Sequence, residues 1–180
     1  QQVAGNKKVL ILTLREVEHF DGPGRRCDIS QWEQFFSEID LSKYQPIIVR
    51  DTGKIFAQDD ILLDYPSAPL ASVNVLFRTA LYQQAYINFF LNGGTLACAK
   101  FSLSNMLVFK VVDESIRVTS SHWVKKIFGL SAGDQMPITT KNHRITWGDD
   151  SVKEIHRHFN DFVNDIESGA CLTQRHGLNG

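Results

Sequence analysis

The feature that most constrains the fold of this chain is a pair of short apolar runs separated by one amphipathic segment. Lys8–Leu14 reads KVLILTL and Pro46–Arg50 reads PIIVR, without the alternation of a strand that has one face in water. Such runs are typical of parallel strands covered on both faces. Between them, Asp28 can cap a helix whose apolar positions recur every three or four residues, and residues 43–45 turn the chain back toward the sheet. The apolar positions are Trp32, Phe35, Phe36 and Ile39. A βαβ unit is therefore predicted.

The next apolar stretch divides into a helix and a strand. Residues 74–85 (NVLFRTALYQQA) contain helix formers, whereas Tyr86–Leu91 (YINFFL) is aromatic and favours a strand. The break Asn92-Gly93-Gly94 follows, and Thr95 can cap a short helix that ends at Lys100. The segment before this stretch, Gly53–Ala71, contains two prolines and is expected to be irregular and on the surface.

The remaining chain continues the alternation of strand and helix. The predicted elements are a strand over Met106–Val112, a helix over Ser121–Gly129, a strand over His143–Trp147 and a final amphipathic helix from Val152 to Ile166, capped by Asp150 or Ser151. This order predicts one Rossmann-like domain over residues 1–168, a three-layer α/β/α sandwich with a mostly parallel sheet. Residues 169–180 are expected to form a loose tail.

Composition excludes several classes of function. Lys and Arg number 19 against 20 Asp and Glu, so the net charge of −1 argues against a polybasic nucleic-acid binder. The three cysteines include no CxxC pair, which predicts reduced thiols and a cytoplasmic location. Polar residues interrupt the longest apolar stretch, so no transmembrane segment is expected. The chain begins at Gln1 without a signal peptide, as expected of a processed or excised piece.

Candidate functional residues lie immediately after the predicted strands, because ligands of open parallel sheets bind at the carboxyl ends of strands. The four clusters are Arg15-Glu16, Arg50-Asp51-Thr52, Asn92-Gly93-Gly94-Thr95 and Trp147-Gly148-Asp149-Asp150. The two arginines could bind phosphate or carboxylate, and the glycines would let backbone amides approach an anion. Asp51 could act as a general base, or its carboxylate could accept a hydrogen bond from a sugar hydroxyl.

Each of these assignments has a structural alternative. The arginines could instead pair with Glu16 or Asp51, and the two glycines could form a helix C-cap and turn. The position of Asp149 and Asp150 before the last helix favours a helix-capping role for them over catalysis. Asp59, Asp60 and Asp64 are expected to be solvated loop charges rather than ligands of a cation. His156 and His158 are two residues apart and therefore lie on different helix faces, so they do not form a pair of metal ligands. No metal site or cofactor is predicted.

Familiar catalytic motifs are absent from the sequence. There is no GxxxxGK[ST] loop, no GxGxxG after the first strand, no GxSxG elbow and no HExxH. Their absence argues against the commonest NTPase, dehydrogenase, hydrolase and metalloprotease designs.

The order of the motifs resembles that of bacterial surface-polysaccharide proteins that are glycosyltransferases of the GT-B type or their relatives. The resemblance is carried by Arg15-Glu16, Trp32, Tyr44 with PIIVRDT, LYQQA at 81–85, NGGTLACAKFS at 92–102 and ITWGDD at 145–150. It implies a nucleotide-sugar donor and a glycan acceptor, with Gly93, Gly94 and Thr95 holding the donor phosphate. A GT-B enzyme has two Rossmann-like halves, and this chain has the length of one.

The expected function is therefore sugar transfer in which Arg15, Arg50 and the amides of Gly93-Gly94-Thr95 neutralise the diphosphate leaving group, with Asp51 as the candidate base. Thr52 and Asn92 belong to the same predicted site. A second Rossmann-like domain or a homo-oligomer would supply the other wall of the cleft. The main alternative is a noncatalytic α/β module that binds a nucleotide, a glycan or a partner protein. A further alternative is a hydrolase or phosphotransferase with Asp51 as its nucleophile.

Overall fold

A five-stranded, entirely parallel sheet forms the centre of the molecule. The structure is a computed structural model that describes residues 6–16, 26–57, 59–100, 104–135 and 142–171. The strands are β1 (Lys8–Thr13), β2 (Tyr44–Val49), β3 (Ile87–Leu91), β4 (Met106–Phe109) and β5 (His143–Ile145), in the spatial order β2-β1-β3-β4-β5. The predicted α/β Rossmann-like fold is confirmed.

Six α-helices connect and cover the strands in the described part of the chain. They are α1 (Ile29–Glu38), α2 (Pro69–Val73), α3 (Val75–Gln84), α4 (Leu96–Lys100), α5 (Ser121–Phe128) and α6 (Val152–Glu167). The predicted division of residues 74–91 into helix and strand is confirmed, and the Asn74 side chain accepts a hydrogen bond from the Phe77 amide at 3.0 Å. Single 3₁₀ turns lie at Thr52–Lys54 and Arg117–Thr119.

The direction of each crossover decides which face of the sheet a helix covers. The chain moves from β1 to β2 in one direction and from β2 through β3 and β4 to β5 in the other. Right-handed crossovers then place α1 on one face and α2 to α5 on the opposite face. The two buried clusters agree with this, because Trp32 and Phe159 share one cluster while Tyr82, Leu96 and Val124 share the other. We call these faces the α1/α6 layer and the α2–α5 layer.

Aromatic packing fills the space between the sheet and the α1/α6 layer. The fully buried Trp32 ring lies edge-on to Phe89 and Phe109, with ring centroids 5.3 and 5.6 Å apart. Phe159 of α6 packs 5.3 Å from Phe35 of α1. The amphipathic patterns of α1 and α6 therefore point to the same core, as their spacing predicts.

Several element boundaries differ from the sequence predictions. Strand β2 begins at Tyr44, so the turn lies over residues 40–43, earlier than the predicted 43–45. Strands β4 and β5 end early, because Lys110 and Trp147 adopt left-handed backbone conformations with φ of 49° and 58°. Pro46 is accommodated because β2 is the edge strand of the described sheet.

Asp150 does not cap the last helix, contrary to one of the two predicted caps. Ser151 occupies the N-cap position, while the side chain of Gln31 in α1 accepts a hydrogen bond from the Val152 amide at 2.8 Å. The Asp150 carboxylate is buried, and it accepts hydrogen bonds from the Asp28 amide at 2.9 Å and the Trp32 indole at 3.0 Å. Asp150 therefore joins the end of β5 to the beginning of α1.

Two segments expected on the surface contribute to the core. In the predicted irregular stretch, Leu62 and Ala71 are buried and residues 69–73 form α2. At the start of the predicted tail, Cys171 is buried, and its amide donates to the Asp165 carbonyl oxygen at 3.3 Å. Residues 172–180 of that tail lie outside the described residues.

Replacing Asp150 is expected to destabilise the fold strongly. Its carboxylate pairs with the Lys110 ammonium at 2.5 Å, and both side chains are shielded from water. Asp150→Asn leaves that cation without its counter-ion, which costs about 3 kcal/mol or more of unfolding free energy. The exposed neighbour gives the matched control, since Asp149→Asn should change it by less than about 1 kcal/mol. Urea unfolding measures both, and equal effects would contradict the assigned role.

Tyr82 is expected to make the fold sensitive to alkaline pH. Burial raises the pKa of this phenol to about 12, and its hydroxyl lies 2.8 Å from the Thr13 hydroxyl. Above the unfolded pKa of about 10, the unfolded chain loses this proton while the folded chain keeps it, so stability falls as pH rises toward the folded value. Tyr82→Phe should remove this contribution, which is about 1.4 kcal/mol per pH unit at most. Urea unfolding at pH 9 and 11 tests it, and identical pH slopes for both proteins would contradict it.

Candidate functional site

The carboxyl ends of the parallel strands meet at one edge of the sheet. Thr13 at the end of β1 pairs with Val49 of β2 and with Phe90 of β3, so the residues that follow these strands are neighbours. Arg15, Arg50 and Asn92 therefore share this edge, as predicted. The chain order reverses between β1 and β3, which is where open α/β sheets form their ligand crevice.

Arg15 and Gly93 lie against each other at this point, between the ends of β1 and β3. A Cβ atom built on Gly93 would lie 2.5 Å from Nη1 of Arg15, so the guanidinium occupies the space that a side chain would need. A Cβ atom built on Gly94 would have no atom within 4 Å. Of the two glycines, Gly93 is the one whose lack of a side chain lets the arginine approach the backbone.

The backbone of Arg15 is held by Cys27. The Cys27 amide donates to the Arg15 carbonyl oxygen at 3.2 Å, and the Arg15 amide donates to the Cys27 sulfur at 3.3 Å. Burial raises the pKa of the Cys27 thiol far above its ordinary value, so the thiol stays protonated at neutral pH. Cys27, whose thiol is neutral, thus holds the backbone of Arg15 in position.

Arg50 forms the internal ion pair that was the alternative to phosphate binding. Its Nη1 and Nη2 atoms donate to the two Asp59 carboxylate oxygens at 2.5 and 2.9 Å, and its Nε donates to both Glu16 oxygens at 3.2 Å. Asp59 and Glu16 raise the pKa of Arg50, which is always charged. The forked contacts predicted for phosphate are made with carboxylates.

Asp51 and Thr52 are also engaged by neighbouring segments. Oδ2 of Asp51 accepts a hydrogen bond from the Glu16 amide at 2.5 Å, and the Asp51 amide donates to Oε2 of Glu16 at 3.2 Å. The Thr52 hydroxyl donates to the Ser72 carbonyl oxygen at 2.8 Å. Asp51 therefore lies beside Glu16 at the ends of β1 and β2, and Thr52 is tied to α2.

Residues 92–95 connect a strand to a helix. The Asn92 side chain donates to the Val111 carbonyl oxygen at 3.0 Å, which joins this turn to the end of β4. The carbonyl oxygens of Gly93 and Gly94 accept hydrogen bonds from the Leu96 and Ala97 amides at 3.3 and 3.1 Å. The C-cap alternative for the glycines is wrong, because β3, and not a helix, ends immediately before them.

Lys110 also belongs to this edge, but sequence reasoning did not single it out. Its ammonium donates to the Arg26 carbonyl oxygen at 2.8 Å, in addition to its pairing with Asp150. The predicted strand extended to Val112, which placed Lys110 inside a strand and hid its position at the strand's end. Its left-handed φ could not be read from the sequence.

Metal binding and membrane insertion find no support among the residues that the structure describes. No group of three or more His, Cys, Asp or Glu side chains there could hold a metal ion. His156 lies 2.7 Å from a carboxylate oxygen of Glu38. None of the described helices has the length and apolar character needed to span a bilayer.

Comparisons of this chain with family models, with curated proteins and with solved structures found no match. The function proposed below is therefore based on the residues that follow the parallel strands.

Proposed function

We propose that the residues following β1 and β3 bind the diphosphate of a nucleotide-sugar donor, and that the chain is the donor-binding part of a bacterial surface-polysaccharide glycosyltransferase. The observation that supports this most directly is the Arg15 guanidinium lying against the backbone of Gly93 at the point where strand order reverses. Ligands of open α/β sheets bind at this point.

The charges around the crevice are compatible with an anionic ligand. Glu16 follows Arg15 directly, yet its carboxylate pairs with Arg50, and Asp59 completes that ion-pair network. The charge of the Glu16 carboxylate is thereby compensated. Arg15 is a rigid, permanently charged fork, which suits the oxygens of a phosphate group.

In the proposed reaction, an acceptor hydroxyl of a glycan attacks the anomeric carbon of the sugar, and the bond to the diphosphate breaks. Arg15 would stabilise the charge on the departing nucleoside diphosphate. Asp51, next to Glu16, is the proposed base for the acceptor proton. A second Rossmann-like domain or a second copy would close the cleft. We place the reaction in the cytoplasm because Cys27, Cys98 and Cys171 are free thiols.

Substitution of the two glycines is expected to separate donor binding from folding. Gly93→Ala forces the Arg15 side chain to move, whereas Gly94→Ala enters open space and is the matched control. Uridine, guanosine, cytidine and thymidine diphosphates and their sugar conjugates should raise the melting temperature of the parent and of Gly94→Ala. Gly93→Ala and Arg15→Ala should weaken binding about tenfold, as loss of one charge-assisted contact requires.

Two results would contradict the proposed donor site. One is that no compound of this set stabilises the parent protein at millimolar concentration. The other is that Arg15→Ala binds them as the parent does. Melting curves without ligand provide the control for folding, since all three variants should unfold near the parental temperature.

A noncatalytic binding module is the second candidate, and one observation favours it. Arg50 and Asp51 are both held by neighbouring groups of the same sheet edge, as ion-pair and hydrogen-bond partners. The structure thus offers these two residues roles that need no substrate.

Asp51→Asn is expected to distinguish the two candidates. The new amide oxygen can still accept the hydrogen bond from Glu16, so folding and donor binding should persist. Release of nucleoside diphosphate from the donor should fall about a hundredfold if Asp51 is the base. A parent protein that binds a nucleotide sugar but releases no nucleoside diphosphate would support the noncatalytic module instead.

A further inference from the structure

An unusual density of exposed apolar side chains lies where α2 meets α3. Five of them fall within residues 70–77, and their exposed fractions are 52% for Leu70, 62% for Val73, 61% for Val75, 79% for Leu76 and 42% for Phe77. We call this set the apolar ridge. Contiguous exposed apolar surface on a soluble domain marks a docking surface for another protein or a membrane.

The charges of the two helical layers differ in sign. The described helices α2 to α5 contain four cationic residues and no Asp or Glu, and the cations are Arg78, Lys100, Lys125 and Lys126. Helices α1 and α6 contain six acidic and two cationic residues. The acidic loop residues Asp60 and Asp64 also lie on the α1 side, in a groove shared with Glu33. The apolar ridge thus occupies the cationic layer.

We propose that the α2–α5 layer docks on the surface of an anionic lipid bilayer, with the apolar ridge inserted at the level of the headgroups. Exposed apolar side chains on helices whose only charged side chains are Lys and Arg are the chemistry of interfacial membrane binding. Helix α5 adds exposed Ile127 and Phe128 beside its two lysines. The helices of this layer carry only positive charge, which complements anionic lipid, and the carboxylates of Glu114 and Asp134 lie in the segments that flank α5.

A second copy of the chain fits this surface less well. A symmetric dimer would bring two cationic layers together, and like charges would oppose it. A contact with the acidic helices of a second copy would match the charges, but α1 and α6 have no exposed large apolar side chain to cover the apolar ridge. An anionic bilayer can bury the apolar side chains among its lipids and pair its headgroups with the cationic side chains.

Docking in this way would place the sheet edge near the bilayer. The hydroxyl of Ser72, near the end of α2, donates a hydrogen bond to the Arg50 carbonyl oxygen at 2.7 Å. The Ser72 carbonyl oxygen accepts one from the Thr52 hydroxyl. The apolar ridge is therefore attached to the residues that follow β2. The inference itself rests on exposure and charge, and it does not depend on the proposed donor site.

Vesicle sedimentation with the full chain tests the proposal. Phosphatidylcholine vesicles containing about 30% phosphatidylglycerol should bind the protein, pure phosphatidylcholine should bind it much less, and raised salt should weaken binding. Leu76→Glu should reduce binding about fivefold or more. Lys125→Glu should reduce it by a similar factor. Leu63 is a leucine on the α1 side that is 68% exposed, against 79% for Leu76, so Leu63→Glu is the matched control and should leave binding unchanged.

The result that would overturn the proposal is equal binding of the parent and Leu76→Glu to anionic vesicles, or no binding by either. A concentration-dependent dimer in sedimentation without lipid, abolished by Leu76→Glu, would assign the apolar ridge to a second copy. Leu76 lies in the first turn of α3, where a carboxylate is favourable, so Leu76→Glu should keep the parental melting temperature.

Discussion

The parallel sheet must be covered on both faces, and this constraint organises the rest of the molecule. Strand β3 is buried along its whole length and β4 likewise, so neither strand has a face for water. Right-handed crossovers satisfy the requirement with α1 and α6 on one face and α2 to α5 on the other. The same crossovers bring the strand ends to one edge, which locates the candidate site.

At that edge, buried charges are paired with one another or with a carboxylate at the surface. Asp150 joins Lys110, the Asp28 amide and Trp32, while Arg50 joins Glu16 and Asp59. Charges removed from water need partners of opposite sign and hydrogen bonds, so these groups hold the loops at the edge in place. Arg15 lies at the same edge, with its guanidinium against the backbone of Gly93.

The rule that ligand groups follow parallel strands was sufficient to bring together the residues of the candidate site. Arg15, Arg50 and Asn92 share one edge because their strands are adjacent and parallel. The partners of each side chain could not be predicted in this way. Arg50 meets Asp59 across a loop, and Lys110 and Asp150 follow different strands, so their pairing depends on how those segments pack.

By itself, the sequence determined the alternation of strands and helices, because apolar runs and three-to-four spacing are local patterns that reflect burial. It also determined the glycine break after β3. Only the tertiary structure decided that Asp150 pairs with Lys110, that Cys171 enters the core and that the apolar ridge lies on the α2–α5 layer. These properties involve residues far apart in the chain, and their interaction energies exist only once the sheet and its two layers have brought them into contact.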